Sequence, residues 1–519
     1  MLIRTGRSRL IPPRGPAASA IALASLCVLA ASAQAQLVQI KTLPMAEGDQ
    51  FAFFPSANQG MAGVSIALAD SLLDPFLNPA KGARLRAPHF FGSPTFYSLS
   101  RNAGGGQTLP VGGLLTSKRW FAGAVVALQE VDANRTDVQF FPPGLETRGS
   151  GLVFPSPEQA RSQQNNYAFA MFGQRLERAN ISIAGSIFWA GLRRIDGVDL
   201  LYAGSQSVKQ QGKTIDARLG ALKEWSDGQS LEAVMLHGRL DMAHDVAFAD
   251  AFWDPNLRIT TFGPRLEHNI DRSSTWGLHL AYQRPLSDSG WRMGAVLTTN
   301  LLSHPKLPNY EVAQVVQPIP WDPGHSAAYN VGIGISRAHG PTTFGIDAIY
   351  EPIRSHTWGE APTPLETATG GTVPAGGKTT ENHFTFSNAI VRTGVGHELR
   401  LEGVEHPIQL QLGVAVHSIH YRLDQFDHVQ LSGRQQEEKW MEWTRTWGLS
   451  FRASTVELRY LGRLTTGVGR PGIAANSGRD VFLASPSSSS NIIAAPSGPL
   501  TLTDIGVLTH QFSVSLPLR

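Results

Sequence analysis

Runs of alternating apolar and polar residues, folded back on themselves at short polar turns, recur along most of the chain. In residues 277–303, Leu278, Leu280 and Tyr282 share one side of an extended segment. A turn of sequence LSDSG follows, and Trp291 opens a second alternating run. Because successive side chains of a β-strand point to opposite faces, this pattern predicts an antiparallel hairpin.

Seven such hairpins can be counted. Residues 89–100 add a strand before the first hairpin, and the C-terminal VLTHQFSVSLPLR adds a closing strand, which brings the count to 16. A count of 14 is equally open, because element boundaries are read least reliably from a single sequence. The seven turns are expected near Ser117–Lys118, Glu177–Asn180, Ser226–Gly228, residues 286–290, His339–Pro341, Gly403–Pro407 and Ala453–Ser454.

Longer connections, rich in Gly, Pro, Ser and Asn, separate the hairpins at residues 140–165, 304–325, 363–382 and 467–499. Short turns on one side and long loops on the other are typical of outer-membrane β-barrels. Long structureless loops would count against a compact soluble domain. The sequence therefore predicts an all-β fold, a transmembrane antiparallel β-barrel of 14 or 16 strands, with a soluble β-protein as the competing class.

Tryptophans support the membrane assignment. Outer-membrane barrels carry aromatic girdles at both membrane interfaces, near the ends of their spanning strands. The alternative is that these residues belong to an ordinary core. Six tryptophans are expected near strand ends: Trp120, Trp189, Trp225, Trp276, Trp291 and Trp447.

The first 35 residues have the three-part layout of a secretory signal peptide. Four arginines precede an apolar run that ends in Ala33-Gln34-Ala35, and cleavage is expected after Ala35. The alternative is an N-terminal membrane anchor. Four of the 44 basic residues would leave with this segment and none of the 41 acidic ones, so the balance falls to 40 against 41. Nucleic acid is therefore not an expected partner, and the single cysteine, Cys27, would leave too.

Motifs for catalysis are weak. The GVGRPG of residues 467–472 lacks the following helix that a dinucleotide site needs, and GTVPAGGKT (371–379) has the wrong spacing for a phosphate loop. His417 and His420 are three residues apart, so a strand would put them on opposite faces, unsuited to one metal ion. We expect no catalytic residue, no cofactor and no metal site, and hence no enzyme; a barrel enzyme with dispersed catalytic residues remains the alternative.

Residues 51–80 stand apart from the alternating pattern. They contain spaced glycines (Gly60, Gly63), a short apolar stretch that ends in Ala69-Asp70, and the tripeptide Asn78-Pro79-Ala80. This segment resembles the N-terminal segment of the outer-membrane long-chain fatty-acid and aromatic hydrocarbon transporter family. A related group with the same segment serves in secretion and surface-attachment systems. The resemblance implies a 14-stranded barrel whose lumen is closed by an N-terminal plug, or hatch, containing Gly60, Gly63, Asp70, Asn78, Pro79 and Ala80.

The resulting organisation is a signal peptide (1–35), a plug (36–87) and a barrel with long external loops (88–519). The resemblance implies passive uptake of hydrophobic small molecules past the plug, with the outer-membrane bilayer and an apolar ligand as partners. Phe51, Phe53 and Phe54 are candidates for lining the ligand pocket, with ordinary packing as the alternative. A general porin, or a barrel that works with secretion-system proteins, are the competing functions.

Overall fold

The chain folds into a closed antiparallel β-barrel. The structure is a computed structural model, and it describes residues 53–100, 104–132, 162–195, 207–254, 259–286, 289–304, 323–403, 406–468 and 505–518. Among these residues, no helix is long and apolar enough to cross a membrane. One four-residue helix, α1 (Asp74–Leu77), lies before the first strand, between 3-10 turns at Gln59–Met61 and Pro79–Arg84.

The strands follow the chain as β1 (His89–Gly92), β2 (Thr95–Leu99), β3 (Gly104–Thr116), β4 (Trp120–Asp132), β5 (Ser162–Leu176), β6 (Ile181–Leu192), β7 (Ser207–Glu224), β8 (Ser230–Asp254), β9 (Ile259–Pro285), β10 (Trp291–His304), β11 (Gly324–His339), β12 (Thr342–Glu360), β13 (Leu365–Glu366), β14 (Thr372–Val373), β15 (Lys378–Leu399), β16 (Ile408–Asp427), β17 (Ser432–Ala453), β18 (Val456–Val468) and β19 (Ile505–Pro517).

Sixteen strands form the barrel in the described part of the chain. β1 and β2 are two halves of one strand, because each pairs with β3 on one side and with β19 on the other. The pairing with β19 closes the ring, while β13 and β14 pair only with each other. The hairpin count of 16 is thus confirmed, and it exceeds the 14 strands implied by the family resemblance.

All seven predicted hairpins are confirmed. Each predicted turn joins two neighbouring strands, from β3–β4 at residues 117–119 to β17–β18 at residues 454–455. β1 begins and β19 finishes at the rim of the barrel that carries these short turns. There the Leu518 N–H donates to the Pro88 carbonyl (2.7 Å). Of the four predicted long loops, three fall mainly outside the described residues. The fourth, 363–382, is more ordered than expected, since it contains β13, β14 and the start of β15.

The outward face of the barrel carries a belt of exposed apolar side chains. Val126, Phe172 and Leu412 are each more than 60% exposed, at 63%, 64% and 62%. An exposed apolar surface of this extent is suited to lipid and not to water. At one end of the belt Trp120 and Trp291 begin their strands, as predicted.

Trp276 and Trp447 were wrongly expected near strand ends. Both lie in the middle of long strands, because β9 and β17 run for 27 and 22 residues. About 9–11 residues suffice for a tilted crossing, so the outer parts of these strands project beyond the belt. There the outward face becomes charged: Asp241 accepts hydrogen bonds from Arg239 (2.9 Å) and from Arg272.

The position of the apolar belt can be tested with two substitutions on a single strand, β10. Leu297 (46% exposed) lies in the apolar belt, and Ser303 lies six residues nearer the loop end on the same outward face of β10. Leu297→Arg should destabilise the barrel in lipid vesicles by about 2–4 kcal/mol, whereas Ser303→Arg should cost about 0–1 kcal/mol. Reversible urea unfolding in vesicles measures both, and equal losses would contradict the position of the belt.

Candidate functional site

Residues 53–85, here called the N-terminal segment, contact wall strands all round the barrel. Their hydrogen-bond partners include Arg175 on β5, Glu232 on β8, Asp347 on β12 and Thr446 on β17. Strands on opposite sides of a closed ring meet one short segment only in its interior. The segment therefore lies in the lumen, where irregular backbone is tolerated if the wall supplies its hydrogen bonds.

The two predicted glycines each meet a steric requirement. A side chain at Gly60 would approach within 2.9 Å of the Gly448 Cα of the wall. Gly63 has φ of +70°, a conformation that favours glycine. Between them, the Thr446 hydroxyl donates to the Gly60 carbonyl and accepts from the Ala62 N–H, both at 2.9 Å. The glycines thus allow this stretch of backbone to lie directly against the wall.

Asp70, also predicted from the motif, closes a loop within the segment. Its carboxylate accepts backbone N–H bonds from Ala57 (2.9 Å), Asn58 (3.1 Å), Leu72 (3.1 Å) and Leu73 (3.0 Å). It also accepts the hydroxyl of Ser56. Asp70 is buried, and a carboxylate that accepts this many N–H groups organises the backbone around it. Its observed contacts are structural.

The next part of the segment is held by inward side chains of three strands. The Asp347 carboxylate on β12 accepts the Ser65 N–H at 2.8 Å and the Ile66 N–H at 3.3 Å. The Gln283 amide on β9 donates to the Ile66 carbonyl, and the Ser336 hydroxyl on β11 to the Ala67 carbonyl, both at 2.8 Å. A buried backbone group without a hydrogen-bond partner raises the free energy of the folded state. These polar wall residues therefore stabilise the irregular path of the segment.

The tripeptide Asn78-Pro79-Ala80 caps a short turn against the adjoining part of the wall, on β7 and β8. The Asn78 side chain accepts the Ala80 N–H (3.1 Å), and its amide donates to Glu232 (2.9 Å). Pro79 opens the 3-10 turn, where its missing N–H costs nothing. Ala80 is fully buried among Phe121, Ala184 and Leu222, so little volume remains there for a larger side chain.

A buried ion cluster fastens this end of the segment. Lys81 Nζ lies 3.3 Å from Asp74 and 3.0 Å from Glu232, and all three side chains are less than 8% exposed. Burial raises the pKa of the Asp74 carboxyl to about 6, although the charge of Lys81 lowers it. Sequence reasoning missed all three residues. Lys81 follows the tripeptide directly and could have been noticed, but nothing in the sequence connects Glu232 to it.

Phe53 and Phe54 lie in an aromatic cluster on the inner side of the wall. The Phe54 ring stacks on Phe76 (centroids 4.2 Å apart, planes at 13°), and Phe53 packs on Tyr167 at 4.9 Å. Phe169 meets Phe54 edge-on at 5.7 Å. These rings contact one another, which agrees with the packing alternative; a role in lining a ligand pocket stays a prediction. Phe51 lies outside the described residues.

The first barrel strand is interrupted beside this cluster. β1 ends at Gly92 and β2 begins at Thr95, with Ser93-Pro94 between them. The Ser93 hydroxyl contacts the Ser513 hydroxyl of β19 at 2.8 Å, a side-chain contact across the seam. On the outer face, Phe96 of β2, His510 and Phe512 of β19 and Tyr460 of the neighbouring β18 line a shallow groove of about 550 Å³. Aromatic side chains therefore lie next to the interruption on both the inner and the outer face of the wall.

His417 and His420 have different partners. His417 lies 3.4 Å from Glu442 and His420 lies 3.0 Å from Glu437, so they do not share a site. The 371–379 motif forms β14 and the start of β15. Most of the 467–472 motif lies outside the described residues.

No protein-family model and no curated protein matches the sequence. Among solved structures, the CymD monoaromatic hydrocarbon channel matches with a TM-score of 0.41 and 10% identity, over 91% of this chain and 99% of that one. The Pseudomonas putida toluene transporter TodX matches with 0.39 and 8%, over 92% and 100%. A Pseudomonas aeruginosa FadL homologue matches with 0.42 and 11%, over 89% and 98%. The functions in these names are those of the matched proteins.

The ion cluster can be tested by charge removal at two pH values. Because the folded-state pKa of Asp74 lies above its ordinary 3.8, this carboxyl stabilises the fold below pH 3.8 and loses that contribution as the pH rises through about 6. Lys81→Met removes the charge that favours the ionised form. At pH 8 it should destabilise the barrel by about 3–5 kcal/mol, and at pH 5, where Asp74 takes up a proton, by clearly less.

Thermal unfolding in detergent at both pH values measures this difference. The control is Lys439→Met, which removes an exposed partner of Glu437 on the outer surface and should change little at either pH. A Lys81→Met protein as stable as the parent at pH 8 would contradict a structural role for the cluster.

Proposed function

We propose that this protein is an outer-membrane barrel for passive uptake of hydrophobic small molecules, long-chain fatty acids or hydrocarbons, with residues 36–87 acting as a lumen plug. The observation that carries the proposal is the N-terminal segment in the lumen. A barrel of 16 strands has a lumen too wide for wall side chains to fill. In the family-like motif, Asp70 and Asn78 hold parts of that segment in place, and Gly60 and Gly63 allow its backbone to lie against the wall.

The apolar belt supports a location in a membrane. Together with the signal peptide expected at residues 1–35, it supports our proposal that the barrel, residues 88–519, lies in the outer membrane of a Gram-negative-type cell. By the usual arrangement of such barrels, the short turns and both ends of the barrel face the periplasm, and the longer connections face outward. We propose that transport follows the concentration gradient of the ligand.

Two inward apolar clusters support a hydrophobic ligand over an ion or sugar. One is the aromatic cluster around Phe53 and Phe54. The other lies nearer the loop end of the barrel, on β11, β12, β15 and β16. Its members are Ala328, Ile353, Phe384, Phe386, Tyr421 and Leu423, with Trp440 packed against them. An apolar ligand that enters between the loops would meet this second cluster before it reaches the N-terminal segment.

Uptake of a hydrophobic ligand and conductance of small ions distinguish the proposed transporter from a general porin. In cells that lack their own hydrophobic-uptake barrel, the intact protein should increase uptake of a labelled long-chain fatty acid or alkylbenzene. In planar bilayers it should conduct KCl weakly, and deletion of residues 53–85 should raise that conductance severalfold. Lys81→Met provides a second, milder disturbance of the segment if the deletion fails to insert.

Two results would overturn the proposal. Cells that take up neither probe above the empty-vector level would exclude transport of these ligands and leave the secretion-partner alternative. A large KCl conductance of the intact protein would indicate a porin.

The route past the segment can be tested at the interrupted strand. We propose that the ligand leaves sideways between β1–β2 and β19, next to Ser93. Ser93→Cys with Ser513→Cys would place two thiols close enough for a disulfide across this seam. Oxidation should then abolish uptake, and reduction should restore it. Cys27, the one native cysteine, lies in the expected signal peptide, so a mature chain carries no competing thiol.

A matched control pair lies elsewhere in the wall. The hydroxyls of Ser326 on β11 and Ser355 on β12 are 2.7 Å apart within an uninterrupted strand pair. A Ser326→Cys, Ser355→Cys disulfide should leave uptake unchanged. Uptake that survives oxidation of the Ser93–Ser513 pair would indicate a route along the barrel axis instead.

A further inference from the structure

Three potential metal ligands meet on the outside of the barrel wall. His356 of β12 and His383 of β15 are direct partners across the strand pair, and Glu381 lies two residues before His383. Their ligand atoms all lie within 4.8 Å of one another. The cluster is independent of the N-terminal segment and of the proposed transport route.

The position of the cluster is outside the lipid belt. On β12 the buried residues Asp347, Ile349 and Ile353 point inward, so the residues between them, including Tyr350 and His356, point outward. Tyr350 (48% exposed) lies at the outer part of the belt, and His356 lies six residues nearer the loop end. An ion from the external medium can therefore reach the cluster without crossing lipid.

The spacing suits a tetrahedral site. His383 Nε2 lies 3.4 Å and His356 Nε2 lies 2.7 Å from the same oxygen, Glu381 Oε1. Ligand atoms around tetrahedral zinc, at about 2.0–2.1 Å from the metal, lie about 3.3 Å from each other. The 3.4 Å distance from His383 already fits this spacing. The 2.7 Å distance from His356 is too short, so the side chains must move apart by about half an ångström. The two imidazole rings stack nearly parallel, with centroids 4.2 Å apart and planes at 12°, so one ring must also turn for both nitrogens to point at a shared ion.

Further residues surround the carboxylate. His428, on the turn between β16 and β17, lies 3.1 Å from Glu381 Oε2. Its imidazole can orient the carboxylate as an outer-shell partner, as such groups do in known metal sites. Lys378 Nζ contacts Glu381 Oε1 and also lies 5.0 Å above the Trp358 ring. Lys378 competes with a metal ion for Glu381, and the Trp358 ring can hold the ammonium group when it is displaced.

We propose that His356, Glu381 and His383 form a surface binding site for a divalent transition-metal ion of the zinc or copper type. Two imidazoles and one carboxylate are ligands that such ions accept, and they leave one position for water or an incoming group. The bound ion would tie β12 to β15 directly. Through His428 on Glu381 it would also reinforce the contact of these strands with the β16–β17 turn, at the end of the barrel where the loops begin.

The test uses the full-length protein purified in detergent without a polyhistidine tag. Calorimetric titration with Zn²⁺ alone should show one saturable ion per chain at pH 7.5. Binding should weaken at pH 5.5, because protons compete with a metal ion for its ligand atoms. His356→Ala, His383→Ala and Glu381→Gln should each weaken binding at least tenfold. Lys378→Met should strengthen binding, because it removes the competing cation; loss of a merely structural contact would not do so.

The control is His420→Ala. His420 lies on the outer wall and contacts Glu437 (3.0 Å), but it is not part of the three-residue cluster, so its loss should leave Zn²⁺ affinity unchanged. Electron paramagnetic resonance with one equivalent of Cu²⁺ should show coupling to two nitrogens, reduced to one in either histidine variant. Absence of saturable Zn²⁺ binding, or binding that is equally strong in the three ligand variants, would overturn the proposal.

Discussion

The structure depends on satisfying backbone hydrogen bonds inside a wide barrel. In the described part of the chain, sixteen strands pair around a closed ring, so each strand has a neighbour on both sides. The N-terminal segment has no sheet to join, and its turns are short. Its exposed N–H and carbonyl groups are instead met by side chains of the wall, such as Asp347, Gln411 and Thr446. The inward residues of the barrel therefore serve the segment as much as the strands that carry them.

Charged side chains have different positions and roles inside the barrel and outside it. Inside, Lys81 is placed between Asp74 and Glu232, with Asn78 bonded to the same glutamate. A buried ion pair of this kind contributes little net stability compared with apolar packing, but it disfavours any other placement of its members. We interpret the cluster as a device that positions the segment. Outside, exposed charges such as the Arg239–Asp241 pair lie beyond the apolar belt, where the long strands leave the membrane.

Much of the architecture could be predicted because its cause is local. The period of two along each strand reports the two faces of a sheet, and the turn residues report where the chain reverses. The 16 strands and seven hairpins followed from these signals. The lengths of β8, β9 and β17 did not, because their outer halves face water on the outside and lose the apolar alternation that marks a membrane crossing. For that reason Trp276 and Trp447 were expected near strand ends and lie in mid-strand.

The sequence by itself determined the barrel and marked the unusual segment, through spaced glycines, Asp70 and Asn78-Pro79-Ala80. Its contacts were decided only by the tertiary structure. Ser65 meets Asp347 across 282 positions of sequence, and Lys81 meets Glu232 only because β8 turns that side chain inward. The external cluster of His356, Glu381 and His383 likewise exists because of the register between β12 and β15. Register depends on the closure of the whole ring, and no short stretch of sequence carries that information.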